Sequence, residues 1–181
     1  RYVGNVMASQ DVKSLWQAIA ATKENSPGLK LELIGRVDAE VKTSIAEHGL
    51  SEYVIYRDFI PHNEAIKAMK SAQVLLFIIP NVHDNKLIVT GKLLEYIATG
   101  NEILAIGPVD GDAAAILQMA GKKPMSDYKA MEEIKQQVET AYFDWKNHYT
   151  LAGNATLSTK EFSRKSQAGL LAGILNRISG Q

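Results

Sequence analysis

Short apolar runs alternate with longer amphipathic segments along the first 120 residues. The apolar runs have the length of strands and cover residues 2–6, 31–37, 53–59, 74–79 and 103–106. The segments between them have helical spacing and cover residues 11–24, 39–48, 64–71, 91–99 and 112–120. Asp11 and Asp112 are suitable N-caps for the first and fifth helices. This alternation predicts a doubly wound, Rossmann-like α/β domain, with a parallel sheet and helices on both faces.

The pattern changes after Met125. Residues 130–148 read as one long helix, and after a loop a last helix is expected from about residue 159 to 178. We therefore predict a Rossmann-like domain over residues 1–150 and a C-terminal loop and helix over residues 151–181.

Composition narrows the classes of function. The 181 residues contain 20 basic and 20 acidic side chains, and this zero net charge argues against a nucleic-acid partner. With no cysteine, the chain has no disulfide scaffold and no cysteine-based zinc site. The longest apolar run, residues 74–79, ends at Pro80, far short of the ~18 residues that span a bilayer. We expect a cytoplasmic protein.

The turn after this run opens a helix at Gly91. In a parallel sheet, ligands bind beyond the carboxyl ends of the strands, at helix N-termini. The helix is apolar around most of its surface, except for a stripe formed by Lys92, Glu95 and Thr99. Gly91 and the free N–H groups of the first turn would admit a phosphate, Lys92 would add positive charge, and Glu95 could accept hydrogen bonds from ribose. Alternatively, Lys92 and Glu95 form an exposed ion pair.

Other local signals are weaker. No Gly-x-Gly-x-x-Gly follows the first strand, which disfavours a dinucleotide site, and Thr90-Gly91-Lys92 lacks the rest of a P-loop. The four histidines have no metal-ligand spacing, so we predict no metal site. His83 lies in the loop before the helix at Gly91 and could touch a ligand.

The run GKLLEYIATGNEIL at residues 91–104 resembles the donor-site helix of the large retaining glycosyltransferase family with the GT-B fold (glycosyl transferases group 1 type). Many members have a Lys-aliphatic-Phe-Glu-Tyr-aliphatic-Ala-small-Gly run there. Upstream landmarks occur in the same order: the first strand and turn at residues 2–5, the second strand at 31–35 and the loop near the base at 59–64. The resemblance covers about residues 2–121.

The resemblance implies the C-terminal, donor-binding half of an enzyme that transfers a sugar from a nucleotide-diphosphate sugar. The acceptor would be a polysaccharide, a lipid-linked sugar or a small molecule. Most catalytic groups would lie on an N-terminal domain absent from this chain, so we expect no transfer by the chain alone. No tightly bound cofactor or metal is implied. Residues 151–181 would pack on this domain or on the N-terminal one, and the full-length protein could associate peripherally with the inner face of the membrane.

The resemblance also assigns roles to particular residues. Glu95 would hold the ribose, and the backbone of Ile60 would contact the base. The backbone around Val89, Thr90, Gly91 and Lys92 would hold the phosphates. Weaker candidates for the same site are Asn5, Gly35 and His83.

The chain departs from the family at four positions. Leu87 stands where a glutamate often contacts the donor sugar, and Glu102 replaces a proline. Asn5 and, approximately, Gln10 stand where Arg and Lys often follow the first strand. These departures leave open the sugar, the strength of diphosphate binding and whether the protein is catalytic. Two other functions also stay open: a nucleotide-sugar epimerase of the same architecture, and a non-enzymatic flavodoxin-like interaction domain that binds no nucleotide.

Overall fold

The computed structural model describes residues 1–147 and 164–179. In chain order the elements are β1 Tyr2–Val3, α1 Lys13–Thr22, β2 Leu31–Ile34, α2 Ala39–Glu47, β3 Val54–Arg57, α3 His62–Lys70, β4 Val74–Ile78, α4 Gly91–Thr99, β5 Glu102–Ile106, α5 Asp112–Met119, α6 Met131–Lys146 and α7 Arg164–Ser179. Short 3-10 turns occur at Ala8–Gln10, Lys23–Asn25 and Asn85–Leu87. The predicted boundary at residue 150 and the predicted start of the last helix lie outside the described residues.

All the paired strands are parallel. β2 lies between β1 and β3, and β4 pairs with β5. Arg1 joins the two groups, because its amino group donates to the Val74 carbonyl (2.7 Å) and its carbonyl accepts from the Leu76 N–H (2.8 Å). The strand order is therefore β3-β2-β1-β4-β5, in which the chain leaves β1 on one side and returns at β4 on the other.

Helices cover both faces of the sheet, as the sequence predicted. Side chains of β4 alternate between two cores: Leu76 and Ile78 point to one, Leu75 and Phe77 to the other. The first core includes buried residues of α1, α2 and α6, and the second those of α3, α4 and α5. This alternation explains why the strand is apolar along its whole length.

Two capping predictions were wrong. The N-cap of α1 is Val12, because the Asp11 carboxylate instead accepts a 2.6 Å hydrogen bond from the Trp16 indole. The N-cap of α5 is Gly111, and Asp112 is the first residue of that helix.

Strand β1 is shorter than predicted because two glycines interrupt its pairing. Gly4 has a φ of 118° and Gly35, opposite it after β2, a φ of 122°. Pairing resumes only as a single bridge between Val6 and Val37. A Cβ on Gly35 would lie 2.7 Å from the Gly4 carbonyl oxygen, so the two turns approach closely because neither residue has a side chain.

Helix α7 does not bury its large apolar side chains against the other described residues. Its large apolar side chains, Leu170, Leu171, Ile174, Leu175 and Ile178, are all exposed. Across residues 1–147 and 164–179, no helix combines the length and the apolar character needed to cross a membrane.

Candidate functional site

The crevice between the carboxyl ends of β1 and β4 is where the sheet can receive a ligand. Connections from these neighbouring strands run to opposite sides of the sheet and leave a gap between them. The β4 strand is followed by a loop and then by α4, whose first residue is Gly91. Val89, Thr90, Gly91 and Lys92, all predicted as phosphate contacts, therefore lie at this gap.

The start of α4 offers unused hydrogen-bond donors. Within the described residues, the backbone N–H groups of residues 89–92 donate to nothing, whereas the Leu93 N–H donates to the Thr90 carbonyl (3.1 Å). The Thr90 hydroxyl is buried and also has no partner there. A Cβ on Gly91 would meet no atom within 4 Å, so the backbone is open to an approaching group. Free N–H groups at a helix N-terminus favour an anion.

The loop before α4 is held at its middle by two adjacent residues. The Asn85 amide donates to the Pro80 carbonyl (3.1 Å) and to the Tyr128 hydroxyl (3.0 Å). Lys86 pairs with Asp110 at 2.5 Å. Gly111 permits this contact, because a Cβ there would lie 2.8 Å from the Lys86 carbonyl oxygen. These contacts hold the loop three residues before the donors at residues 89–92.

The Lys92 side chain crosses from α4 to the end of β1. Its Nζ lies 3.8 Å from the centre of the Tyr2 ring. A Cβ added to Gly4 would lie only 2.9 Å from the Lys92 Nζ, so the lysine fits here because residue 4 is glycine. Burial lowers the pKa of Lys92 from 10.5 to about 8, and the nearby Glu95 charge partly opposes this shift. Lys92 and Glu95 form no ion pair in the described part of the chain, so the alternative interpretation of these two residues as an exposed ion pair is not supported.

Tyr96 fixes α4 against β1. Its hydroxyl accepts a 2.9 Å hydrogen bond from the Val3 N–H. Its ring packs edge-on against Phe77 of β4, with ring centres 6.4 Å apart and planes at 74°. Tyr96 is fully buried, and this burial raises the pKa of its phenol well above the ordinary value.

Gln10 has a structural role at the crevice. Its amide is buried and donates to the Tyr2 hydroxyl (3.0 Å) and to the Ile78 carbonyl (2.8 Å). The Tyr2 hydroxyl donates in turn to the Asn5 carbonyl (3.0 Å). Gln10 therefore ties the ends of β1 and β4 together and does not offer its side chain to a ligand.

The weaker candidates Asn5 and Gly35 are already engaged in turns. The Asn5 side-chain oxygen accepts a 3.2 Å hydrogen bond from the Arg36 N–H. The Gly35 N–H donates to the Arg57 carbonyl (2.9 Å). Both residues shape the edge of the crevice. His83 is far out on the loop, with an exposed ring whose Nδ1 lies 2.8 Å from Asp84.

Glu95 and Ile60 lie on the α3 side of the site. Glu95 is exposed and lines a groove of about 180 Å³ between α3 and α4, together with His62. Ile60, two residues before His62, has a backbone N–H and carbonyl that make no hydrogen bond in the described part of the chain. The two backbone groups of Ile60 are therefore unused in the described residues.

Tyr2, Gly4 and Tyr96 were not predicted as site residues. Tyr2 and Gly4 were assigned only to the first strand, and Tyr96 only to the helix motif. Their contacts join residues about 90 positions apart, so no local spacing reveals them.

A further cavity of about 380 Å³ lies at the amino ends of the strands, opposite the crevice. It is lined by residues that include Leu31, Tyr53 and Trp145. Within the described residues, no cluster of His, Asp and Glu is arranged to hold a metal ion.

No protein-family model matches the chain, and no curated protein matches it. Solved structures do. The C-terminal domain of the glycosyl transferase group 1 family protein LpcC from Francisella tularensis has a TM-score of 0.66 at 17% identity, covering 90% of this chain and 85% of that one. HepE from Anabaena, in complex with UDP, has a TM-score of 0.67 at 16% identity, covering 99% of this chain and 49% of HepE.

The catalytic domain of cholesterol-α-glucosyltransferase from Helicobacter pylori has a TM-score of 0.62 at 15% identity, covering 90% of this chain and 98% of that one. The chain has the fold of these domains. At such identities the likeness is one of fold. The chain spans about half the length of HepE.

Proposed function

We propose that this chain is the donor-binding domain of a glycosyltransferase. The observation that carries the proposal is the set of unused N–H donors at residues 89–92, at the gap between β1 and β4 and next to the unpaired Lys92 ammonium. This arrangement suits an extended anion such as a diphosphate. The fold of UDP-bound HepE and of other glycosyltransferase domains supports the same ligand class.

The diphosphate would lie across the start of α4. The N–H groups of residues 89–92 would donate to its oxygens, and the absence of a side chain at Gly91 would let it approach the backbone. Lys92 would add the positive charge. Preorganised donors of this kind stabilise negative charge more effectively than water does, because they need no reorganisation during the reaction.

The nucleoside would extend from the diphosphate towards α3. Glu95, one turn into α4 and exposed in the groove, would accept hydrogen bonds from the two ribose hydroxyls. The unused backbone N–H and carbonyl of Ile60 would read the edge of the base. The groove between α3 and α4 would thereby set the orientation of the bound nucleotide.

The sugar would lie on the side of Leu87, which is 73% exposed in the loop before α4. A leucine cannot accept hydrogen bonds from sugar hydroxyls, so the carboxylate common at this position in the resembling family is absent.

The chemistry would be transfer with retention of configuration, with the diphosphate as leaving group. This domain would stabilise that leaving group with backbone donors and Lys92, without a tightly bound cofactor. An N-terminal domain would supply the acceptor site and close the cleft. We also propose that the acceptor is a polysaccharide, a lipid-linked sugar or a small molecule. The full protein would be cytoplasmic or peripheral at the inner face of the membrane.

Binding of nucleoside diphosphates tests the proposal directly. UDP, GDP and ADP are titrated into the 181-residue chain by calorimetry, with the nucleosides as controls for the diphosphate. We expect at least one diphosphate to bind, and its nucleoside to bind much more weakly. A flavodoxin-like interaction domain would bind none of the six. A nucleotide-sugar epimerase would bind as a glycosyltransferase does, and analysis of the products of the intact parent protein separates these two.

A further inference from the structure

Lys92 brings its positive charge to the crevice from α4, not from the loop after β1. Its Nζ rests over the Tyr2 ring and in the space left open by Gly4. Asn5 and Gln10, which follow β1, carry no charge and are engaged in structural hydrogen bonds. In residues 1–147 and 164–179, no carboxylate forms an ion pair with the Lys92 ammonium.

A half-buried ammonium without an anionic partner loses part of its hydration and is not repaid by a salt bridge. The protein can relieve this cost by releasing the proton. Burial accordingly lowers the pKa of Lys92 to about 8. The lysine is thus charged at neutral pH and mostly uncharged one pH unit above 8 in the free protein.

The neighbouring titratable groups leave Lys92 as the side chain that changes charge in this range. On β1, burial raises the pKa of the Tyr2 phenol, and on α4 burial raises the pKa of the Tyr96 phenol. Both therefore stay neutral where Lys92 titrates. Glu95 is the carboxylate that acts on Lys92 from its own helix, and His62 of α3 lines the groove beside Glu95.

We propose that Lys92 couples binding of the donor diphosphate to proton uptake from solvent, of at most one proton per site. The inference rests on the proposed function, since it concerns the same site. Only the ammonium form attracts the diphosphate, and a bound anion favours that form. The pKa of Lys92 is therefore higher in the complex than in the free protein. Affinity for the diphosphate should then be nearly constant well below pH 8. Above pH 8 it should fall about tenfold per pH unit, until the pH reaches the pKa that Lys92 has in the complex.

Calorimetry in two buffers with different ionisation enthalpies counts the protons directly. The 181-residue chain is titrated with UDP, GDP and ADP at pH 7.0, and the tightest binder is also measured at pH 8.5 and 9.0. With a pKa of about 8, we expect uptake of about 0.1 proton per site at pH 7.0 and about 0.7 at pH 8.5. Affinity should be about tenfold weaker at pH 9.0 than at pH 7.0.

Two variants identify the titrating group. In Lys92→Arg the guanidinium stays charged at every pH used, so binding should persist while the extra proton uptake at pH 8.5 disappears. Ionisation of the nucleotide itself occurs equally with both proteins and cancels in this comparison. In Lys92→Met, binding should be about a hundredfold weaker at pH 7.0, because the expected pH dependence requires a pKa about two units higher in the complex than in the free protein. This variant should also lack the proton uptake.

The outcomes separate this inference from the function on which it rests. If none of the three diphosphates binds at pH 7.0, the proposed function fails and the inference fails with it. If one binds but the parent takes up no more protons at pH 8.5 than at pH 7.0, the inference fails and the function stands. Equal uptake by the parent and Lys92→Met would likewise overturn the inference, because another group would then be titrating.

Discussion

The Tyr96 hydroxyl accepts a 2.9 Å hydrogen bond from the N–H of Val3. The bond links the middle of α4 to the last residue of β1, across the crevice proposed to hold the nucleotide. The same helix carries Lys92 and Glu95, so the position of both side chains relative to β1 depends on this contact. Tyr96 therefore contributes both to the stability of the fold and to the geometry of the candidate site.

Tyr96→Phe should weaken both stability and binding. The substitution leaves the Val3 N–H without its acceptor, which costs about 1–3 kcal/mol in the free energy of unfolding. Since α4 then loses its tie to β1, nucleotide affinity should also fall. Urea unfolding and calorimetric titration measure the two effects. Normal stability with unchanged affinity would show that the bond has no such role.

Glu95→Gln should weaken nucleotide binding and leave the fold intact. Charge-assisted hydrogen bonds to ribose hydroxyls become neutral ones, with an expected loss of roughly 1–3 kcal/mol of binding free energy. Glu47→Gln is a matched control, since Glu47 is an exposed helical carboxylate on α2, remote from α4. If the two variants bind equally well, Glu95 does not contact the ribose.

Gly91→Val should abolish most of the binding at little cost in stability. A Cβ at this position meets no atom within 4 Å beyond its own helix and chain neighbours, so we expect little strain in the free protein. It would, however, occupy the space proposed for a phosphate. Gly169→Val, at another open helical glycine, in α7, should bind as the parent does. Retained affinity in Gly91→Val would remove the phosphate from this position.

Gly35→Ala should destabilise the domain more than Gly28→Ala. Both glycines have positive φ, 122° and 87° respectively, so alanine is strained at either. Only at Gly35 would the Cβ also meet backbone, 2.7 Å from the Gly4 carbonyl oxygen, and at Gly28 it meets nothing. The difference in unfolding free energy should be about 1–3 kcal/mol. Equal losses would mean that the turns at Gly4 and Gly35 can move apart.

Much of the fold could be predicted because it depends on local periodicity. The alternation of β4 between two cores and the helical stripe of α4 are both visible in the sequence, and α4 begins and ends where it was predicted. The shortness of β1 could not be predicted, since it arises where Gly4 and Gly35 meet from separate turns. The role of Asp11 was misassigned for a similar reason, because Trp16 competes for its carboxylate.

The candidate site was predicted on its helix but not across the crevice. Gly91, Lys92 and Glu95 follow from the position of a helix after an apolar strand, and Val89 and Thr90 were added by the resemblance. The contact of Lys92 with Tyr2 depends on β1 and β4 being neighbours, which only the sheet order establishes. The hydrogen bonds of Gln10 have the same origin, and they explain why the amide of this polar residue after β1 is not available to a ligand.

The chain alone should not transfer sugar. Complete positioning of two reactants lowers a barrier by roughly 7–11 kcal/mol, and one half of a cleft can supply only part of this. The intact parent protein and this chain are given the same labelled nucleotide sugar and acceptor extract, and product is counted over time. Turnover by the chain at a rate near that of the parent would contradict the assignment to a donor-binding half.

The central claim is that a nucleoside diphosphate binds at the start of α4. Chemical-shift mapping of the ¹⁵N-labelled chain during titration with UDP, GDP and ADP tests it most directly, because the unused N–H groups are themselves observed. The account predicts the largest changes at residues 89–92, with further changes at Gly4, Ile60 and Glu95. Changes centred instead on Leu31 and Tyr53 at the amino ends of the strands, or none at millimolar nucleotide, would contradict it.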